Sequence, residues 1–223
     1  MKLYHGSEKI IPHPVYGYGK IYNDYGKAFY CTESVDMAKE WSVSREHGGY
    51  ANCYELDADD LQILDLNDES FCLLHWLTIL LRYRTFDLNS PLSAEANKYL
   101  LKYFYIDCEV PDLIIGYRAD DSYFSFAQDF ISGRISYRQL SDAMHLGKLG
   151  LQIAVKSKQA FSRLSFLGYE TASQQEWLEK KERRDRMARK AYFDLDRNRW
   201  QKGDLYMVQI LEEEMKADDP RLR

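Results

Sequence analysis

His5 stands beside Gly6 and Ser7 in LYHGS, and that trio offers an imidazole, a backbone without a Cβ and a hydroxyl within three positions. On its own such a trio is a loop feature. A second block, GKAFYCTESVDMAKEWS, adds Tyr30 and, eleven residues later, Trp41. Eighteen tyrosines are present, and many crowd into PVYGYGKIYNDYGKAFY, so aromatic rings there are expected to line a pocket for a flat ligand. Further along, YRADDSYF brings Arg118, Asp120 and Asp121 together, and LQIAVKS carries Gln152. Each has a plainer reading. His5 can be a satisfied strand-end histidine, Tyr30 and Trp41 can be core aromatics, and Arg118, Asp120 and Asp121 can be a helix cap with a local ion pair.

The elements that must position these residues follow from the hydrophobic pattern. KLYHG reads as a strand stopped early by Gly6 and Ser7, and Lys27 to Thr32 alternates as a second strand. Thr32 or Ser34 then caps a helix with Val35, Ala38, Trp41 and Ser42 on one face, ending near Gly48 and Gly49. Strands are expected at Ala51 to Leu56 and Leu61 to Leu66, joined by the turn DADD. Helices follow at Phe71 to Tyr83 and, after Pro91, at Ser93 to Tyr105. A strand from Asp112 to Tyr117 leads into a helix capped by Asp120 or Asp121, with an aromatic face of Tyr123, Phe124 and Phe130. After a helix from Ser136 to Leu146, Gly150 to Ser157 alternates as a half-buried strand with Gln152 on its exposed side. From Glu179 to Arg186 no residue is apolar, and seven basic residues face two acidic ones between Lys180 and Lys190. That stretch predicts a charged helix projecting into solvent, with a contact surface for an acidic target as the functional alternative. The final DLYMVQILEEEM is amphipathic and is expected to dock back on the body.

The short elements, taken in order, resemble the ADP-ribosyltransferase superfamily, in the His-Tyr-Glu branch of poly(ADP-ribose) polymerases and diphtheria toxin. The matching residues are His5, Gly6 and Ser7, then Gly26, Lys27, Phe29 and Tyr30, then Trp41. Gln152 falls where that branch carries its catalytic Glu, so an amide replaces a carboxylate. Residues 1 to about 170, with the DDPRLR end, more closely resemble a bacterial family known only as domain of unknown function 3990, grouped with these transferases. The resemblance implies an α+β fold, a split antiparallel β-sandwich with surrounding helices. Residues 1–171 would form the transferase-like domain and 172–223 a charged helical extension.

The resemblance also implies a function, mono-ADP-ribosyl transfer from NAD to a macromolecular acceptor, protein or nucleic acid. His5, Tyr30 and Gln152 take the catalytic positions, and His5, Gly6, Ser7, Tyr30, Thr32, Ala38 and Trp41 the NAD-binding ones. Arg118, Asp120 and Asp121 would face the acceptor, with a carboxylate there standing in for the missing Glu. Bacterial relatives imply a toxin paired with a small neutralising antitoxin. NAD glycohydrolase activity and a catalytically silent nucleotide- or protein-binding module are the alternatives. Without the Glu, a charge-assisted hydrogen bond is lost, so single-unit transfer and a slow rate are expected.

Composition sets the outer bounds. With 223 residues, 45% hydrophobic and 29% charged, the chain is an ordinary globular sequence able to bury a core. Its net charge of −5 argues against a general nucleic-acid-binding surface. Cys31, Cys53, Cys72 and Cys108 form no CxxC pair and the five histidines have no zinc-ligand spacing, so no metal is expected. Reduced thiols, the short apolar run Phe71 to Leu81 and an opening MKLYHGSEK without a signal-like stretch predict a cytoplasmic protein with no membrane partner.

Overall fold

In the computed structural model the described residues are 1–119, 121–146, 150–194 and 200–223. Two sheets form a mixed α+β architecture. One has three antiparallel strands in the order β1 (Lys2–Ser7), β3 (Gly49–Leu56), β7 (Leu164–Ala172). The other runs β2 (Phe29–Cys31), β6 (Leu151–Val155), β5 (Leu113–Tyr117), β4 (Ile63–Asp65). The expectation of a split antiparallel sandwich is corrected at one edge, where β4 pairs parallel to β5; the other strand pairs are antiparallel. DADD therefore does not close a hairpin: β3 lies in the first sheet, β4 crosses to the second, and the parallel partner is reached through α2 (Leu73–Tyr83) and α3 (Pro91–Tyr103).

Local chemistry explains the boundaries. Ser34, rather than Thr32, caps α1 (Val35–Ser42), its hydroxyl accepting from the Met37 N–H at 3.2 Å. In α2, Leu74, Trp76, Leu77, Ile79 and Leu80 are all buried, as expected of a helix that is apolar nearly all round. In α4 (Asp121–Ile131) Phe126, Ala127, Phe130 and Ile131 are buried and Phe124 is half-buried, while the side chain of Tyr123, also expected on the aromatic face, lies outside the described residues. After α5 (Tyr137–Met144), β6 runs centrally between β2 and β5, and α6 (Lys158–Ser162) leads into β7. The four cysteines are free and buried, and no described helix is long and apolar enough to cross a membrane.

The charged helix does not project. Helix α7 (Gln174–Asp194) turns a stripe of Trp177, Lys181, Arg184, Ala188 and Tyr192 toward the body, spaced as one helical face. Trp177, Ala188 and Tyr192 are buried, and between them Arg184 Nε meets Glu40 Oε2 of α1 at 2.7 Å. Ion pairing thus replaces apolar packing in the middle of the contact, which hydrophobic periodicity cannot register. The C-terminal segment does dock back. Leu205, Met207, Ile210, Met215 and Leu222, the last two lying beyond α8 (Met207–Glu212), join the same core as Trp76, Leu100 and Phe130. Tyr137 Oη donates to the Leu222 carbonyl at 2.7 Å, and Arg138 grips Asp204 through Nε and Nη2.

Candidate functional site

The two sheets touch at β1 and β2 through one bridge. Tyr4 and Thr32 exchange backbone hydrogen bonds at 2.8 and 2.9 Å, and beyond that point the strands part. At the split the Tyr30 carbonyl would be left without a ladder partner. His5 supplies one, with its Nδ1 at 2.7 Å. A cavity of about 470 Å³ opens there, within the size range of small-molecule sites. Its wall combines His5 and Gly6 of β1, Asp24, Tyr30 of β2, Trp41 of α1, Arg84, Arg118 and Ala119 after β5, Gln152 of β6, and residues of α7.

The geometry fixes the state of His5. A carbonyl only accepts, so Nδ1 carries the proton. Burial holds the imidazole below its ordinary pKa, opposed in part by the bond to Tyr30, so the ring is neutral and Nε2 is an acceptor. Stacking on Phe29, with centroids 4.2 Å apart, locks its plane. Burial likewise depresses the pKa of His75. Both therefore contribute stability that is full above the unfolded-state value near 6.5 and is lost as pH falls. The melting temperature is expected to drop between pH 7 and 5, with a shallower slope in His5→Gln; equal slopes would show that His5 is not buried as described.

Gly6 serves two directions. A Cβ there would strike the Ala38 carbonyl and come within 2.8 Å of the Trp41 Cβ, so α1 can lie on β1 only over a glycine. Its backbone groups point, by strand alternation, to the same side as those of Tyr4, past the bridge and toward the cavity that Gly6 lines. The absent Cβ thus admits the helix rather than a ligand. Gly6→Ala should cost about 1–3 kcal/mol in denaturant unfolding through overpacking; an unchanged midpoint would mean α1 is not seated there.

The Tyr30 hydroxyl is committed to structure, donating to the Gly26 carbonyl at 2.6 Å and accepting the Tyr25 N–H at 3.1 Å. Burial raises its pKa far above the usual phenol range, so the hydroxyl keeps its proton at neutral pH and the residue offers its ring. Trp41 has the Arg118 guanidinium 4.6 Å from its ring centroid, so a cation already occupies one indole face. The buried indole N–H of Trp41 meets no acceptor among the described residues.

Gln152 is only 5% exposed, contrary to the expectation of a solvent-facing side chain, because β6 is a central strand covered on both faces. Its Nε2 donates to Asp24 Oδ2 at 3.3 Å. The same oxygen accepts the Ala119 N–H at 2.9 Å, and Oδ1 takes Arg84 Nη1 at 2.8 Å. Burial raises the Asp24 pKa, while the Ala119 N–H, Arg84, Arg118 and Gln152 pull it back. The amide at the expected carboxylate position is therefore hydrogen-bonded to a carboxylate supplied by another segment.

A family model described as a protein of unknown function, DUF3990, matches residues 1–166, most of the chain. The chain belongs to this family. Neither the curated proteins nor the solved structures contain a match.

Within the DUF3990 region the cavity gathers His5, Gly6, Tyr30, Trp41, Arg118 and Gln152 from the residues singled out in the sequence. Three others lie elsewhere. The Ser7 hydroxyl donates to the Lys9 carbonyl at 2.5 Å and accepts from Asn52 Nδ2 at 3.1 Å, which pins the loop after β1. Thr32 is buried with its Oγ1 accepting the Ser34 N–H, and Ala38 is fully buried against Gly6. Asp120 and the side chain of Asp121 lie outside the described residues. Tyr16, Tyr18 and Tyr22 of the aromatic run face solvent instead of the cavity, and Tyr25 sits in the core.

Asn23, Asp24, Arg84 and Ala119 of the DUF3990 region also line the wall and escaped sequence reasoning, and of these Asp24 and Arg84 carry charge. Asp24 had a signal: it is the only acidic residue between Glu8 and Glu33, in the middle of the aromatic run. Arg84 looked like an ordinary basic residue ending α2, and nothing local pairs it with a residue sixty positions away. Beyond the DUF3990 match, Lys181, Arg184, Asp185 and Arg189 of α7 complete the wall. Among the described residues no three His, Cys, Asp or Glu side chains converge as a metal cage requires.

Proposed function

We propose that the cavity binds NAD and that the protein is a mono-ADP-ribosyltransferase of an ADP-ribosyltransferase-like fold. One observation carries the reading: an imidazole, a Cβ-free strand end, a tyrosine ring, a tryptophan and Gln152, from four separate elements, border a single opening where two sheets split. NAD supplies an activated glycosidic link whose cleavage frees nicotinamide and leaves positive charge developing on the ribose. The chain's residues fit that demand. His5 Nε2 accepts from a ribose hydroxyl, the Gly6 backbone faces the carboxamide, and the Tyr30 ring forms a flat wall. Asp24 provides the negative charge that Gln152 lacks, held in place by Arg84 and the Ala119 N–H before any ligand arrives. Gln152, oriented by Asp24, positions rather than stabilises charge.

The same site with water as acceptor is an NAD glycohydrolase, and free ADP-ribose measured against labelled protein or nucleic acid separates the two. A silent nucleotide-binding module is favoured by one feature, that both Asp24 oxygens already have partners. Incubation with NAD labelled in the adenylate half decides among them. Single-unit labelling of an acceptor supports transfer, free ADP-ribose alone supports hydrolysis, and binding with no nicotinamide released over hours supports the silent module.

A further inference from the structure

We infer that the aromatic loop between β1 and β2, residues 8–28, docks single-stranded nucleic acid and so presents it as the acceptor of the proposed transfer. This rests on the transferase reading and names the acceptor class that reading leaves open. Tyr18 is 89% exposed, Tyr22 76% and Tyr16 48%, three large rings left in water by one short segment. Exposed rings gathered in one place mark a contact surface. The loop is tied down all the same: the Ile11 N–H donates to Asn52 Oδ1 at 2.8 Å, and the Ile11 carbonyl accepts from Tyr54 Oη at 2.6 Å. Further along, the Tyr18 N–H donates to the Val15 carbonyl at 3.3 Å, and Tyr16 sets its ring edge-on to Phe161, with centroids 5.5 Å apart. The backbone is held while the rings stay in solvent.

Charge selects the occupant. Although the chain carries a net charge of −5, no carboxylate occurs from Lys9 to Asn23, and Asp24, which ends that run, is buried and paired with Arg84. Lys20 and Lys27 are exposed and enter no ion pair among the described residues. Beside them a small cavity of about 210 Å³ is bordered by Tyr16, Lys27, Lys156, Lys158 and Phe161, and its carboxylate, Glu109, meets Lys156 Nζ at 3.0 Å. Lys158 Nζ lies 5.6 Å from the Tyr16 ring centroid. Rings interleaved with lysines suit a chain of phosphates that carries flat bases, since rings stack on base faces and ammonium groups meet phosphates. A duplex keeps those faces stacked inside, so an unpaired strand is selected. The loop also leads to the site: Tyr22 is followed by Asn23 and Asp24, both on the wall of the larger cavity. There an amino or hydroxyl group of the strand would bond to the anomeric carbon of the ribose as the bond to nicotinamide breaks. The electron pair leaves with neutral nicotinamide, and the nucleophile's proton passes to solvent.

Fluorescence anisotropy of the full chain with labelled oligo-dT, oligo-U and an oligo-dT·dA duplex tests this, with cosedimentation on phosphatidylcholine–phosphatidylserine vesicles alongside. Single strands should bind roughly tenfold more tightly than the duplex. Tyr18→Ala combined with Tyr22→Ala should weaken them roughly tenfold, and the matching Phe pair should retain binding. Lys20→Gln and Lys27→Gln should each flatten the slope of log affinity against log salt by about 0.7. All four side chains are exposed, so an unchanged melting temperature separates a lost contact from a lost fold. With NAD labelled in the adenylate half, label should move to the bound oligomer. Equal affinity for strand and duplex, Ala variants that bind as the wild type does, or sedimentation with vesicles in place of oligomer binding overturns the surface, and label on protein alone overturns the acceptor. Nicotinamide release without oligomer binding would remove the surface and keep the transferase reading; oligomer binding without release would keep the surface and remove the reading.

Discussion

Replacing Asp24 by Asn lowers nicotinamide release by on the order of 100-fold while ADP affinity stays within about twofold, because it deletes a preorganised charge facing the sugar and little of the binding surface. The carboxylate is buried, borders the cavity, and is fixed by Arg84, the Ala119 N–H and Gln152. Its pKa is raised by burial, so the ionised form needed for the reaction is lost as pH falls through a value above the ordinary carboxylate range. The wild-type rate should therefore show an acid limb that Asp24→Asn lacks. For stability the sign is opposite. A raised carboxyl contributes stability present below the unfolded value and lost as pH rises through the folded one, so Asp24→Asn should not lose stability on that account at neutral pH. Wild-type-like release from Asp24→Asn would assign the residue to holding Arg84 and Gln152 alone.

Replacing Arg184 by Ala should destabilise the chain by roughly 2 to 3 kcal/mol, the low side of the range for breaking a buried ion pair, since both side chains keep slight exposure. For a chain of this size that is a fall of about 5 to 10 °C in melting temperature. The loss arises from Glu40, left on the buried face of α1 without its guanidinium. Pairing Arg184→Met with Glu40→Leu should recover most of it, because two apolar side chains leave no charge behind. An unchanged melting temperature in Arg184→Ala would mean that α7 stands away from α1 in solution.

Elements whose order depends on local pattern were legible in the sequence. The strands around His5, Tyr30 and Gln152, the Ser34 cap and the apolar α2 follow from periodicity and turn chemistry. Relations between distant segments were not. The partition of β3 and β4 into different sheets depends on which strand β5 recruits, and DADD fits a hairpin as well as a crossover. Gln152 alternates with apolar neighbours as an exposed residue would, yet it is buried because a carboxylate 128 positions away accepts its amide. The inward face of α7 was invisible for the same reason: Arg184 is buried by charge complementarity with Glu40, while residue-by-residue hydrophobicity reads both as solvent-seeking. Asp24 was the one missed residue with a usable signal, a lone carboxylate in an aromatic run.

The most direct measurement is nicotinamide release from NAD by the wild type and by His5→Ala, with melting curves to confirm that both are folded. Removing the neutral imidazole that accepts at Nε2 should leave a folded protein whose release falls at least about tenfold, the equivalent of roughly 1.4 kcal/mol for one lost hydrogen bond in the site. No release by the wild type, or equal release by both proteins, would contradict the assignment of this cavity to NAD cleavage.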